Sequence, residues 1–143
     1  MLSPSLEDYL EEIYRLSASD DIVRVTDISQ KLNVKLPSVS KALGKLCVGG
    51  YITYKKYGMM GLTDKGRQIG CYLVERNTLL QEFLRTICAD CDVTAEAEAM
   101  EHYLSKSTIV AIQRLMVFMK QNPEAYRQFV DYVREIKKKD NLE

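Results

Sequence analysis

Between residues 25 and 62 the hydrophobic pattern of this chain changes period twice, and that change restricts the possible folds more than any other feature of the sequence. Apolar residues recur at helical spacing from Asp27 to Leu32 and again from Val39 to Leu46, with Asn33-Val34-Lys35-Leu36 as a turn between them. Pro37 suits the first turn of the second helix, whose apolar stripe is Val39, Ala42, Leu43 and Leu46. Its other face carries Ser38, Ser40, Lys41 and Lys45, and Gly49-Gly50 ends it. Tyr51 to Tyr57 then has the composition of a strand, Gly58 permits a turn, and Met59 to Leu62 returns as a second strand. Two short helices across a tight turn, followed by a basic hairpin, are the parts of a winged helix-turn-helix. In that geometry the helix from Pro37 to Cys47 enters the major groove of duplex DNA. Ser38, Ser40 and Lys41 would reach base edges, Lys45 would reach a phosphate, Lys55 and Lys56 would lie on the wing, and Lys35 and Pro37 at the start of the helix are further DNA-binding candidates.

The remaining pattern is helical. Ser3 and Ser5 are both N-cap candidates for a helix from about Pro4 to Ser17, and Asp8 could close a capping box with Ser5. Ser19-Asp20-Asp21 breaks that helix, Ile22 to Val25 is extended, and Thr26 is an N-cap candidate. Thr63 caps a long helix to about Ile87, with Ile69, Leu73, Leu80, Phe83 and Leu84 on its inner side. Further helices are expected from Thr94 to Leu104, from Ser105 or Ser107 to Lys120, and from Asn122-Pro123 to Lys137, leaving Lys137 to Asp140 as a frayed tail. The expected fold is mainly α with a small β-wing: a winged helix-turn-helix over residues 1–70, then a helical metal-binding and dimerisation domain over 71–143. Tyr72, Leu79, Phe83, Ile109, Ile112, Leu115 and Phe118 supply more apolar surface than so small a bundle needs, which points to a homodimer through the C-terminal helices.

The net charge is zero, with 20 basic and 20 acidic residues, so DNA affinity cannot come from overall charge. Its distribution is uneven. Glu7, Asp8, Glu11, Glu12, Asp20 and Asp21 make the start acidic, while Lys31, Lys35, Lys41, Lys45, Lys55, Lys56, Lys65 and Arg67 make the following stretch basic. With no apolar run near the roughly 20 residues of a bilayer span and no charged-then-apolar leader, a soluble cytoplasmic protein without membrane association is expected. The sequence has no Gly-rich phosphate loop and no nucleophile elbow, so an enzyme is not expected.

Two groups of residues have metal-binding chemistry. Glu98, Glu101 and His102, the last being the sole histidine, are spaced i, i+3 and i+4, which puts them on one face of a helix. Asp8 and Glu11 lie one turn apart on the first helix, opposite its apolar stripe. Separately, Cys88-Ala89-Asp90-Cys91 could hold half a zinc site or a redox pair, although no second C-x-x-C or histidine pair completes it. Cys47 and Cys71 fall in apolar settings as small hydrophobes.

Several segments together make the sequence similar to the diphtheria toxin repressor family of metal-dependent transcriptional regulators, in particular to its short manganese transport regulators. They are Pro4 to Tyr14, Val39 to Leu46, Leu62-Thr63-Asp64-Lys65-Gly66, Leu79 to Leu84, and Glu98-Ala99-Met100-Glu101-His102. The resemblance implies a homodimeric repressor of metal-uptake genes that binds a double-stranded DNA operator. It also implies that Asp8, Glu11, Glu98, Glu101 and His102 are ligands to Mn²⁺ or Fe²⁺. A carboxylate at Glu98, where iron-responsive members commonly have Cys, favours such hard-ligand ions, though Zn²⁺ could bind in vitro. Asn77 stands where the family has a histidine, and its amide oxygen is a weaker ligand than imidazole. Asn77 thus leaves open one ion instead of two, weaker binding, or a metal-independent winged-helix regulator. A zinc or redox protein centred on Cys88 and Cys91 is the remaining alternative.

Overall fold

A computed structural model describes residues 1–19 and 22–140; the expected break at Asp20-Asp21 lies outside them. The chain divides into two compact units, Met1–Glu75 and Arg76–Glu143, where the sequence reading drew its division at 70/71. The difference arises because Leu73 belongs to the core of the first unit.

The first unit contains α1 (Pro4–Ser17), β1 (Val23–Arg24), α2 (Val25–Leu32), α3 (Leu36–Val48), β2 (Ile52–Tyr54), β3 (Met59–Leu62) and the first half of α4 (Asp64–Thr86). Leu10, Ile13, Ile28, Val39, Leu43, Leu46, Ile52 and Met60 form one continuous buried core, so the stripe expected on α3 is the one that packs. Ser3 caps α1, its Oγ accepting from Leu6 N at 3.4 Å. Ser5 is therefore inside the helix and the expected capping box with Asp8 does not form. Similarly, α2 begins at Val25, one residue before the Thr26 expected to cap it, with the Asp27 carboxylate accepting from Arg24 N. The sheet has three antiparallel strands in the order β1-β3-β2, so Val23 and Arg24 do more than link helices.

Two helices of this unit end in the same way. At Asn33 (φ 51°) and at Gly50 (φ 74°) the backbone turns left-handed. The following amide reaches back five residues (Val34 N to Ser29 O, Tyr51 N to Leu46 O), which is the hydrogen-bond pattern of a Schellman cap. The segment Leu62-Thr63-Asp64-Lys65-Gly66 then joins wing to helix. Thr63 Oγ1 accepts from Gly66 N at 3.0 Å and donates to Gly50 O at 2.7 Å. A Cβ on Gly66 would overlap the Tyr51 carbonyl, so only glycine lets α4 start this close to the end of α3.

The second unit contains the rest of α4, then α5 (Val93–Glu101), α6 (Lys106–Gln121) and α7 (Pro123–Asp140). Its core cluster is Leu80, Leu84, Ala97 and Ile109, flanked by half-buried Leu79, Phe83, Met100, Leu104 and Ile112. Ile109 is thus core, where the sequence reading assigned it to an exposed dimer surface; Leu115 and Phe118 are exposed. Asp92, not Thr94, caps α5, and the helix stops at Glu101, short of the expected Leu104. Helix α7 runs to Asp140, so the expected frayed tail is helical.

Candidate functional site

The residues expected to contact DNA all lie within the first unit. Ser29 Oγ donates to Val34 O at 2.6 Å, bracing the turn between α2 and α3. Lys35, the N-cap of α3, and Pro37, Ser38, Ser40, Lys41 and Lys45 along it are all exposed, as are Lys55 and Lys56 on the wing. Exposed cations on a helix-turn-helix and its wing are of the kind that suits a phosphate backbone. Lys65 differs: its Nζ donates to Gly49 O at 2.8 Å and sits 4.2 Å from the centre of the Tyr51 ring, which makes it a brace of the wing. Sequence reasoning missed Tyr57. Both Tyr57 (φ 62°) and Gly58 (φ 67°) are left-handed, the requirement of a type I′ hairpin turn. The Tyr57 ring is 92% exposed at the tip of the wing. The sequence reading places this tyrosine, preceded by Lys55 and Lys56, at the end of a strand and gives the turn to Gly58 alone, so its left-handed conformation has no local signal.

The metal-type residues are distributed over both units. On α1 of the first unit, Glu11 is buried and accepts from Arg15 Nη2 at 2.6 Å, while Asp8 is half-buried one turn earlier. In the second unit, Glu101 closes α5 with 2% exposure, and His102 is the residue that caps it. Glu101 Oε1 lies 3.7 Å from His102 Nε2. Glu98, one turn earlier on α5, is exposed. Asn77, buried on α4, donates from Nδ2 to Glu101 Oε2 at 3.1 Å, and Arg76 Nε lies 4.0 Å from that same oxygen. A carboxylate this buried is stable only where positive charge or donors meet it. Carboxylate oxygens and an imidazole make up a donor set suited to a divalent ion of manganese or iron type.

Cys88 and Cys91 take a different role. Cys88 (φ 58°) is the left-handed residue after α4, with Ala89 N bonded to Leu84 O at 3.0 Å, a third Schellman cap. Burial, and then the nearby Glu96, Asp92 and Asp90, push the Cys91 thiol up, opposite to what a thiolate ligand or nucleophile needs. Among the described residues no cluster of three or more potential ligands includes either cysteine.

A winged helix-turn-helix bearing exposed lysines, in one chain with a buried carboxylate beside a half-buried imidazole, defines a class: metal-dependent DNA-binding transcriptional repressors. The chain belongs to the iron dependent repressor family, whose N-terminal DNA binding domain matches residues 1–60 and whose metal binding and dimerisation domain matches residues 63–129. It is 40% identical over 129 residues to the HTH-type transcriptional regulator MntR of Lysinibacillus sphaericus (strain C3-41), covering 90% of this chain and 93% of that protein. To the MntR of Bacillus pumilus (strain SAFR-032) it is 41% identical over 125 residues, 87% of each. Among solved structures it is similar to the metal-dependent transcriptional regulator MtsR, with a TM-score of 0.73 and 28% identity over 82% of this chain and 55% of that one. The manganese regulator SloR gives a TM-score of 0.71 with 28% identity and the same coverages. The chain spans about half the length of those two solved proteins. Among the described residues no helix is long and apolar enough to cross a membrane.

Proposed function

We propose that this protein represses metal-uptake genes by binding a duplex operator as a homodimer when Mn²⁺ or Fe²⁺ is present. The observation that carries the reading is Glu101: a carboxylate with 2% exposure beside the chain's one histidine, in a protein whose other unit is a DNA reader. The proposed ligands are Asp8 and Glu11 of α1 with Glu98, Glu101 and His102 of the α5 segment. The ion would supply the positive charge that lets these carboxylates gather without mutual repulsion. Asp8 and Glu11 tie that charge to α1, whose Leu10 and Ile13 are embedded in the same core as the α3 stripe. Because α1 and α3 share that core, an ion that fixes α1 fixes the recognition helix together with it as one rigid body. Similarity to the manganese regulator SloR supports Mn²⁺; Zn²⁺ would bind the same donors in vitro by its place in the Irving–Williams order.

On the DNA side, Ser38, Ser40 and Lys41 read base edges while Lys35, Lys45, Lys55 and Lys56 meet phosphates, with Pro37 fixing the start of the helix. Serines make few bidentate base contacts, so affinity depends strongly on phosphates and falls steeply with salt. Dimerisation uses the C-terminal helices, through the exposed Leu115, Val117 and Phe118 of α6. Two recognition helices would then meet successive major grooves about 34 Å apart.

The test is selection of duplexes from a random pool with Mn²⁺ present, then fluorescence anisotropy with Mn²⁺, with anaerobic Fe²⁺ and with chelator. Chelation is expected to weaken binding by about 5–150-fold, the usual range of coupling between two sites. Asp8→Ala should lose that response while remaining dimeric. Equal binding with and without metal would instead establish a metal-independent regulator, a reading favoured by the amide and guanidinium that already face Glu101.

A further inference from the structure

We infer that Asn77 is a positioning residue and not a ligand, and that each subunit holds a single divalent ion at the Glu101–His102 end of α5; this rests on the metal-responsive reading above. The argument begins at Arg85. Asn77, Gln81 and Arg85 succeed one another at intervals of four along one face of α4. A guanidinium can only donate, so Gln81 meets Arg85 Nη2 with its oxygen, at 3.1 Å. That orients the Gln81 amide nitrogen toward Asn77, where Nε2 donates to Oδ1 at 2.8 Å. Asn77 is left with its own nitrogen toward Glu101, and Nδ2 donates to Oε2 at 3.1 Å. The polarity of two amides is thus set by one cation. The only atom of Asn77 able to ligate a metal is turned away from Glu101 and held by Gln81.

The consequence falls on Glu101. Its Oε2 takes the Asn77 hydrogen bond and has the Arg76 guanidinium nitrogen 4.0 Å away. A carboxylate that bridges two ions directs one oxygen to each, and here Oε2 is directed to protein donors instead. Its other oxygen, Oε1, lies on the His102 side, 3.7 Å from Nε2, where one ion could be shared by carboxylate and imidazole. Arg76, with 7% exposure, carries into the site a charge of the sign a second ion would have supplied. Asn77 and Gln81 then act on the metal at second hand, by fixing the orientation of Glu101.

The experiment uses full-length, chelator-stripped protein, titrated calorimetrically with Mn²⁺ and followed by electron paramagnetic resonance of the bound ion. The wild type is expected to take one Mn²⁺ per subunit and to give the spectrum of isolated, uncoupled ions. Asn77→His should add a second equivalent and spin coupling between the two ions. Gln81→Ala, a milder change at a half-buried site, should keep one equivalent but bind it more weakly, by about 10-fold, the lower end of the usual cost of removing a ligand's outer partner, because Gln81 acts on Glu101 only through Asn77. Two equivalents in the wild type, or unaltered affinity in Gln81→Ala, would overturn the inference and leave metal regulation standing. No Mn²⁺ binding at all would remove both.

Discussion

The first unit buries Leu10, Ile13, Ile28, Val39, Leu43, Leu46, Ile52, Met60 and Leu73 in one cluster that draws on every helix of the winged domain. The second centres on Leu80, Leu84, Ala97 and Ile109, and α7 contributes no buried residue to it. Meanwhile Leu115, Val117 and Phe118 on α6 remain 38%, 46% and 51% exposed. The contrast shows where stability comes from. A reader of DNA must hold its recognition helix rigidly in the monomer, and the first unit has the apolar interior to do so. The second has an unfinished core, as expected of an element completed by another copy of itself.

The contrast would break most visibly at Gly66. Gly66→Ala forces a methyl against the Tyr51 carbonyl at the junction of α3, wing and α4, where backbone rather than a flexible side chain must yield. A loss of about 3 kcal/mol or more is expected, with a fall in Tm above about 10 °C by calorimetry. A Tm within a degree of wild type would show that the close approach is not needed. On the second unit the corresponding test is Phe118→Asp. Because Phe118 is half exposed, subunit folding should barely change, but a charge in the proposed interface should weaken the dimer by about 2 kcal/mol, roughly 30-fold. Sedimentation equilibrium decides: an unaltered dimer would move the interface away from this face of α6.

The two regions also differ in how far their sequence could be read. The α3 stripe, the exposed serines and lysines and the Gly49-Gly50 stop were legible because each rests on local spacing or local backbone chemistry. The caps were not: Ser3 and Ser5, or Asp92 and Thr94, lie two residues apart with similar chemistry, and local geometry selects between them. The strand β1 has two residues, too few to carry a period. In the second unit the pattern of Glu98, Glu101 and His102 was visible, but its surroundings were not. Asn77 and Glu101 are 24 residues apart, and no spacing rule announces that an amide on one helix holds a carboxylate on another.

Cys88 sharpens the comparison at smaller scale. The three Schellman caps use Asn33, Gly50 and Cys88, and cysteine is the least suited of these to a left-handed backbone. Cys88→Gly relieves that strain, partly offset by the greater freedom of glycine in the unfolded chain, and should stabilise by somewhat under about 1 kcal/mol in denaturant unfolding. If the variant loses stability or a bound metal, the thiol is more than a cap residue.

The smallest effect is expected at Glu12, on α1 beside the proposed ligand Glu11. Its Oε1 is buried without a hydrogen-bond partner. Burial raises its pKa above the ordinary 4.5; Lys31 and Arg15 oppose the rise, and Glu11 adds to it. A raised carboxyl pKa means that the folded state holds the proton more tightly than the unfolded chain does. The stability this group contributes is therefore fully present below pH 4.5 and is lost as pH climbs through the raised value. Above that raised value the carboxyl is in the charged form that burial penalises. Glu12→Gln removes that penalty but gives up the attraction of Lys31 and Arg15, so the net gain in Tm at pH 7 should be about 2 °C or less. The gain should shrink toward zero in acid. A variant equally shifted at pH 4 and pH 7 would assign the effect to packing and not to charge.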